Sequence, residues 1–80
     1  MSEKMNNRVA IITGAAGGIG AASARRLAAY GATVILADID ATAVEAIAGT
    51  ISGSHAYRVD LTDEESVQSL TSTVAERFGR

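Results

Sequence analysis

A glycine-rich segment, residues 13–20, joins a short apolar run to a stretch with helical spacing. The apolar run covers residues 9–12, and the helical stretch ends near Tyr30. Because glycine permits positive φ and carries no Cβ, the backbone of such a turn can approach a ligand closely. The first N–H groups of the helix and the positive end of its dipole then face the same point. This pattern predicts a strand, a tight turn and a helix start that together cradle a phosphate group.

A carboxylate follows the next apolar run. Residues 33–37 are apolar or β-branched, and Asp38 comes directly after them. An acid about 20 residues past a glycine turn, at the end of the second strand, is placed to hydrogen-bond a ribose 2′-hydroxyl. Taken separately, the glycines could form an ordinary strand–helix turn, and Asp38 could be a solvated turn residue or a helix cap. Taken together, the two features favour a dinucleotide site.

The apolar periodicity predicts three strand–helix units. We predict strands at 8–13, 33–38 and 55–59, and helices at 18–30, 41–48 and 63–78. Strands that alternate with helices pair in parallel through right-handed crossovers. The predicted fold is therefore α/β: the first βαβαβα half of a Rossmann-type, doubly wound parallel sheet with strand order 3-2-1.

The predicted helices have recognisable caps and apolar faces. Asp40 is a good N-cap for the second helix, and Thr62 with Glu65 has the spacing of a capping box at the third. The predicted apolar face of the first helix contains Ile19, Ala22, Leu27 and Tyr30. The predicted face of the third contains Val67, Leu70, Val74 and Phe78. The third helix is expected to lie on the opposite face of the sheet from the other two.

Composition excludes several classes of protein. A net charge of −2 argues against a surface for nucleic acid or anionic membranes. The sequence has no cysteine and one histidine, so we expect no disulfide, no thiolate chemistry and no metal site. No apolar run approaches the ~20 residues of a membrane span, and the polar start is unlike a signal peptide. We therefore expect a cytoplasmic protein. A phosphate-loop NTPase is excluded because Gly-Lys-Ser/Thr is missing.

We make separate predictions for the two ends of the sequence. Residues 1–7 are expected to be a flexible tail, and residues 8–80 to be one dinucleotide-binding portion of a Rossmann domain. In a complete doubly wound sheet a further strand pairs with the free side of strand one. Because the sequence stops at Arg80, we expect these 80 residues to be the front portion of a longer protein. If they fold alone, the uncovered strand edge or the third helix is expected to cause self-association.

These features resemble the short-chain dehydrogenase/reductase family. Residues 13–20, Thr-Gly-Ala-Ala-Gly-Gly-Ile-Gly, match the family's Thr-Gly-x-x-x-Gly-Ile-Gly cofactor motif. Residues 37–40 and 59–63 resemble the segments that follow its second and third strands, and the resemblance runs over residues 8–80. It implies a parent enzyme that interconverts a small alcohol and a carbonyl compound by hydride transfer with a nicotinamide dinucleotide. It also implies a homo-oligomer.

The resemblance implies cofactor contacts for individual residues. Gly14 would allow the tight turn, and Gly18 and Gly20 would allow close backbone approach and helix packing. Asp38 would hold the adenosine ribose hydroxyls, and Asp60 would accept a hydrogen bond from the adenine amino group. The expected contacts are Gly14, Ala16, Gly18, Ile19, Gly20, Asp38, Ile39, Asp60 and Leu61.

Charge at three positions favours NAD(H) over NADP(H). An ionised Asp38 would repel a 2′-phosphate. In the family, NADP-preferring members usually carry a basic residue at the positions of Gly17 or Ile39, and both are uncharged here. We therefore predict NAD as the cofactor.

The family's catalytic Ser and Tyr-x-x-x-Lys are missing from this sequence. Tyr30 is followed four residues later by Val34, and Tyr57 by Leu61. We therefore expect no catalytic residue within these 80 residues. Two other functions stay open: a half-domain of an S-adenosylmethionine-dependent methyltransferase, or a non-catalytic nucleotide-binding fragment. Such methyltransferases usually have an acid directly before the glycines, where this sequence has Thr13.

Overall fold

The computed structural model describes residues 8–79, so the expected tail at residues 1–7 lies outside the described part. Three strands alternate with three helices. They are β1 (Val9–Thr13), α1 (Gly18–Ala29), β2 (Thr33–Asp38), α2 (Ala41–Ala48), β3 (Ser54–Arg58) and α3 (Glu64–Phe78). Each bound lies within one residue of the predicted one. Across residues 8–79, no helix is long and apolar enough to cross a membrane.

The three strands form one parallel sheet with β2 in the middle. This is the predicted order 3-2-1. In the register of the sheet Thr13 pairs with Ala37, and Asp38 pairs with Arg58. The carboxyl ends of all three strands therefore meet at one edge, where the glycine-rich turn begins. Residues 34–37 of β2 are fully buried, because neighbouring strands cover their sides and helices cover both faces of the sheet.

The core has two layers, one on each face of the sheet. Val34 and Leu36 pack with α1 and α2 on one face, and Ile35 and Ala37 pack with α3 on the other. This alternation follows from the two-residue period of a strand. The α3 residues in the second layer are Val67, Leu70, Val74 and Phe78. The predicted face of the third helix and its position opposite the other two are thus confirmed.

The predicted face of the first helix is partly wrong. Ile19 is 87% exposed, and Ala22 also faces solvent. The residues of α1 that are buried or pack against the core are Ala21, Ala24, Leu27 and Ala28. The physical reason is close approach: a Cβ on Gly20 would lie 2.9 Å from the Gly14 carbonyl oxygen. A helix held this close to the turn buries small alanines and directs the larger isoleucine outward.

The predicted capping box at α3 is also wrong. Asp63 is the N-cap, and its side chain accepts a hydrogen bond from the Glu65 N–H at 3.0 Å. The Thr62 hydroxyl donates instead to Asp60 at 2.6 Å, so it is unavailable to the helix. The predicted cap of α2 is confirmed, because Asp40 accepts from the backbone N–H three residues later.

Candidate functional site

The carboxyl ends of the three strands surround a cavity of about 250 Å³. In open α/β sheets, ligands bind in the crevice at this edge. The residues that line the cavity are Gly14, Asp38, Ile39, Val59, Asp60, Leu61 and Thr62. They come from the segments that directly follow or end β1, β2 and β3.

The glycine-rich turn is held by backbone hydrogen bonds on one side of this cavity. Gly14 has φ +68°, a conformation that side chains disfavour, and its carbonyl oxygen accepts from the Gly17 N–H at 3.1 Å. The Ala15 N–H donates to the carbonyl oxygen of Ala37 at 3.2 Å, and Ala15 is fully buried. The turn is therefore attached to the end of β2.

The start of α1 differs from the starts of the other two helices. Its N-cap is Gly17, and no side chain caps it. Asp40 and Asp63, by contrast, cap α2 and α3 with their carboxylates. The first N–H groups of a helix have no partner within the helix, and the helix dipole makes this end positive. The start of α1 thus has the geometry that binds an anionic group.

Asp38 lies at the cavity wall with both carboxylate oxygens in hydrogen bonds. One oxygen accepts from the Ala16 N–H at 3.1 Å, and the other accepts from the Asp40 N–H at 3.0 Å. The Asp40 N–H lowers the pKa of Asp38 most, the Ala16 N–H lowers it further, and partial desolvation opposes them. Asp38 is therefore ionised at neutral pH.

Asp60 occupies a similar position after β3. Its Oδ1 accepts from the Thr62 hydroxyl at 2.6 Å and from the Thr62 N–H at 3.0 Å. These two bonds, the hydroxyl first, lower the pKa of Asp60; desolvation opposes them, and the charge of Arg58 adds to the lowering. The Asp60 N–H donates to the Ser66 hydroxyl at 2.9 Å, which fixes the segment against α3.

Apolar side chains complete the lining. Ile39 is 55% exposed and Leu61 is 59% exposed, although both are large and apolar. Val59, in contrast, is buried and packs into the layer beneath α3. Two exposed apolar side chains beside two carboxylates suit a flat, apolar ring that carries hydrogen-bond donors.

The structure places five of the nine predicted site residues in the cavity lining and the other four in the adjoining turn and helix start. The five that line the cavity are Gly14, Asp38, Ile39, Asp60 and Leu61. Gly18, Ile19 and Gly20 form the first turn of α1. Ala16, which is also a predicted cofactor contact, donates its N–H to Asp38.

Two lining residues, Val59 and Thr62, are missing from the predicted site. Val59 directly precedes Asp60 at the end of the third strand, which is the available signal for it. The signal for Thr62 is weaker. An aspartate often hydrogen-bonds the backbone two residues later, but the capping-box prediction places Thr62 at the start of the third helix.

Comparisons with known proteins agree with this geometry. The sequence pattern described as short chain dehydrogenase matches residues 8–80. Cis-4-hydroxycyclohexanecarboxylate dehydrogenase from Sinomonas cyclohexanicum is 43% identical over 82 residues, which is 99% of this chain and 33% of that protein. Meso-2,3-butanediol dehydrogenase from Serratia marcescens is 40% identical over 79 residues, covering 96% of this chain and 32% of that protein.

Solved structures agree as well. A structure of NAD+-bound xylitol dehydrogenase superposes with a TM-score of 0.92 at 34% identity, covering 96% of this chain and 31% of that one. The chain spans a third or less of the length of the curated relatives it matches. The match over residues 8–80, the relatives and the shared fold lead to one conclusion: this chain belongs to the short-chain dehydrogenase family.

Proposed function

We propose that this chain provides the dinucleotide site of an NAD(P)-dependent oxidoreductase that interconverts an alcohol and a carbonyl compound, with NAD(H) preferred. The observation that carries the proposal is the ionised Asp38 at the wall of a cavity that adjoins an uncapped helix start. The cavity offers a carboxylate for a sugar, and the helix offers N–H groups for phosphates.

The proposed binding mode follows the order of groups in the dinucleotide. The first N–H groups of α1, at Gly18 and Ile19, would receive the pyrophosphate. A Cβ built on Gly18 meets nothing within 4 Å, so there is open space beside this part of the backbone. Asp38 would accept hydrogen bonds from the adenosine ribose hydroxyls.

The adenine ring would lie between Ile39 and Leu61, whose apolar side chains are exposed at the mouth of the cavity. Asp60 has one carboxylate oxygen committed to Thr62, and its second oxygen would accept from the adenine amino group. When bound, the nicotinamide of the cofactor supplies the hydride chemistry. The residues of this chain hold and orient the other end of the molecule.

Electrostatics support the preference for NAD(H). A 2′-phosphate carries close to two negative charges at neutral pH and would lie against the ionised Asp38. The residues that line the cavity include two aspartates and no lysine or arginine. A similar solved structure, 3-ketoacyl-(acyl-carrier-protein) reductase from Brucella melitensis, is described as complexed with NADH.

Calorimetric titration of the whole protein with NAD+ and NADP+ tests the proposal. We expect NAD+ to bind more tightly, and Asp38→Ala to weaken NAD+ binding about tenfold while NADP+ binding stays constant or improves. Glu45→Ala is the matched control, because it removes an equal charge from an exposed position of α2. Tighter binding of NADP+ than NAD+ by the unaltered protein would contradict the preference. Binding of S-adenosylmethionine with neither dinucleotide would contradict the function itself.

A further inference from the structure

We propose that Asp38 has a second role: its carboxylate fixes the glycine-rich turn in the shape that receives the dinucleotide. The residue that selects the sugar would then also position the phosphate-binding amides. The identity of the ligand rests on the proposed function, whereas the attachment of the turn to Asp38 is a property of the protein without any ligand.

The contacts of Asp38 join the glycine-rich turn to the end of β2 and the start of α2. One carboxylate oxygen accepts from Ala16, 22 residues earlier, and the other accepts from Asp40 at the start of α2. One residue before Ala16, the Ala15 N–H donates to the carbonyl oxygen of Ala37. Two successive amides of the turn are thus held by the end of β2. The first is held by backbone and the second by a side chain alone.

The position of Ala16 makes this second attachment important for α1. Gly17 follows it as the N-cap, and the helix begins at Gly18. A rotation of the peptide at Ala16 would therefore move the first N–H groups of the helix, which are the ones proposed to receive phosphate. The backbone bond from Gly17 to Gly14 closes the turn on itself and does not fix its direction relative to β2. The Ala15 bond attaches the turn to β2 at one amide, and the Asp38 carboxylate adds a second attachment at the next amide, closer to the helix start.

A consequence for cofactor choice follows from the chemistry of the side chain. A lysine or arginine at position 38 would suit a 2′-phosphate, but neither side chain has a hydrogen-bond acceptor. Such a substitution would leave the Ala16 N–H without its partner. A change that admits NADP(H) at this position would therefore also loosen the turn, so cofactor preference and turn geometry are coupled through one carboxylate.

Nuclear magnetic resonance of the ligand-free, 15N-labelled whole protein tests the attachment directly. We expect the Ala16 amide proton shift to follow the titration of Asp38, and Asp38→Asn to abolish that transition. The other charged groups near Asp38 are Asp40, Arg58 in the neighbouring strand, and Asp60 across the cavity. Asp60→Asn is the control, and the transition at Ala16 should persist in it.

Hydrogen exchange gives a second readout in the same samples. In Asp38→Ala we expect the Ala16 amide to exchange about tenfold faster, because it loses a charge-assisted hydrogen bond. The Ala15 amide should change less, since its acceptor is the Ala37 carbonyl oxygen. Asp38→Asn keeps the size of the side chain, so it serves if Asp38→Ala fails to fold. An Ala16 amide that neither titrates with Asp38 nor exchanges faster overturns the inference.

A ligand analogue separates positioning from sugar recognition. The probe is an NAD+ analogue that lacks both hydroxyls of the adenosine ribose. If Asp38 acts only on the sugar, the analogue binds equally to the unaltered protein and to Asp38→Ala, and the inference is overturned. We expect a loss of about threefold to tenfold instead. Absence of NAD+ binding to the unaltered protein would contradict the proposed function, while the amide measurements still decide whether Asp38 holds the turn.

Discussion

At the scale of single residues, the glycines of the turn have different physical reasons for being glycine. A Cβ on Gly20 would lie 2.9 Å from both the Ala15 Cα and the Gly14 carbonyl oxygen, closer than real Cβ contacts. A Cβ on Gly18 would meet nothing within 4 Å. Packing of the protein therefore requires glycine at position 20. The open space at position 18 is available to a bound molecule.

This contrast gives a prediction with a built-in control. Gly20→Ala should lower the free energy of unfolding by about 1–3 kcal/mol, because the backbone must shift to admit the methyl group. Gly18→Ala should leave it unchanged or raise it by up to about 1 kcal/mol, since alanine favours a helix. Gly18→Ala should instead weaken NAD+ binding. Urea unfolding and calorimetry measure the two effects, and equal destabilisation by both substitutions would contradict the assignment.

The two cavity aspartates predict how the protein responds to acid. Both have a pKa below the ordinary aspartate value, so each binds its proton more weakly in the folded state than in the unfolded state. Their contribution to stability is complete above the unfolded-state pKa of about 3.9, and it is lost as the pH falls through the lower folded-state pKa.

We therefore expect the double variant Asp38→Asn, Asp60→Asn to have a flatter dependence of stability on pH below about pH 4 than the unaltered protein. Urea unfolding at a series of pH values measures the two slopes. Glu45→Gln is a suitable comparison, because this exposed acid on α2 is not one of the residues that line the cavity. Identical slopes in the unaltered protein and the double variant would show that these carboxylates have no such linkage.

At the scale of elements, the three helices differ in their N-caps. The helix α1, which faces the proposed ligand, has no side-chain cap, whereas an aspartate caps each of α2 and α3. Asp40 caps α2, a helix of only eight residues, by accepting from the Ala43 N–H at 3.1 Å. Asp40→Ala should lower the free energy of unfolding by about 1 kcal/mol, because it leaves that N–H without its partner. Thr42→Ala is the control, since this exposed residue lies within the same helix. It should have no destabilising effect, and thermal unfolding of both variants provides the comparison.

Sequence patterns predicted the elements of this fold more securely than the packing of their faces. The strand β2 and the helix α2 have the predicted bounds, because an apolar run before Asp38 and a cap at Asp40 are local signals. The face of α1 was predicted from hydrophobicity, which favours Ile19 over alanine. The close approach at Gly20, which reverses that choice, depends on the three-dimensional path of the turn.

The predicted site shows the same limit. Asp38 was predicted as a ligand contact from its position after the second strand, and Asp60 from the family resemblance; both line the cavity. Their hydrogen bonds to Ala16 and Thr62 were not predicted. Which N–H or hydroxyl group meets each carboxylate depends on the path of the turn, and the residue types alone do not determine that path.

At the scale of the whole molecule, the middle strand supplies the three largest fully buried side chains of the described residues. Leu36 is fully buried among residues of α1, α2 and β1, whereas Ile11 in β1 is 44% exposed. Leu36→Ala should lower the free energy of unfolding by about 2–5 kcal/mol. For a domain of this size the total is roughly 4–12 kcal/mol, so the variant should be close to unfolding. Ile11→Ala, the control, should cost about 1 kcal/mol, because much of that side chain is already in water.

The cavity is assembled from the ends of all three strands, and this has a thermodynamic consequence. A molecule seated there needs every strand in register, so it has no binding site in a form from which one strand has detached. Ligand would then suppress partial opening anywhere in the sheet as strongly as it suppresses complete unfolding. At a free concentration 100 times its Kd, such a ligand adds about 2.7 kcal/mol to the native state. We expect protease cleavage in β1 and in β3 to slow by the same factor when NAD+ is added.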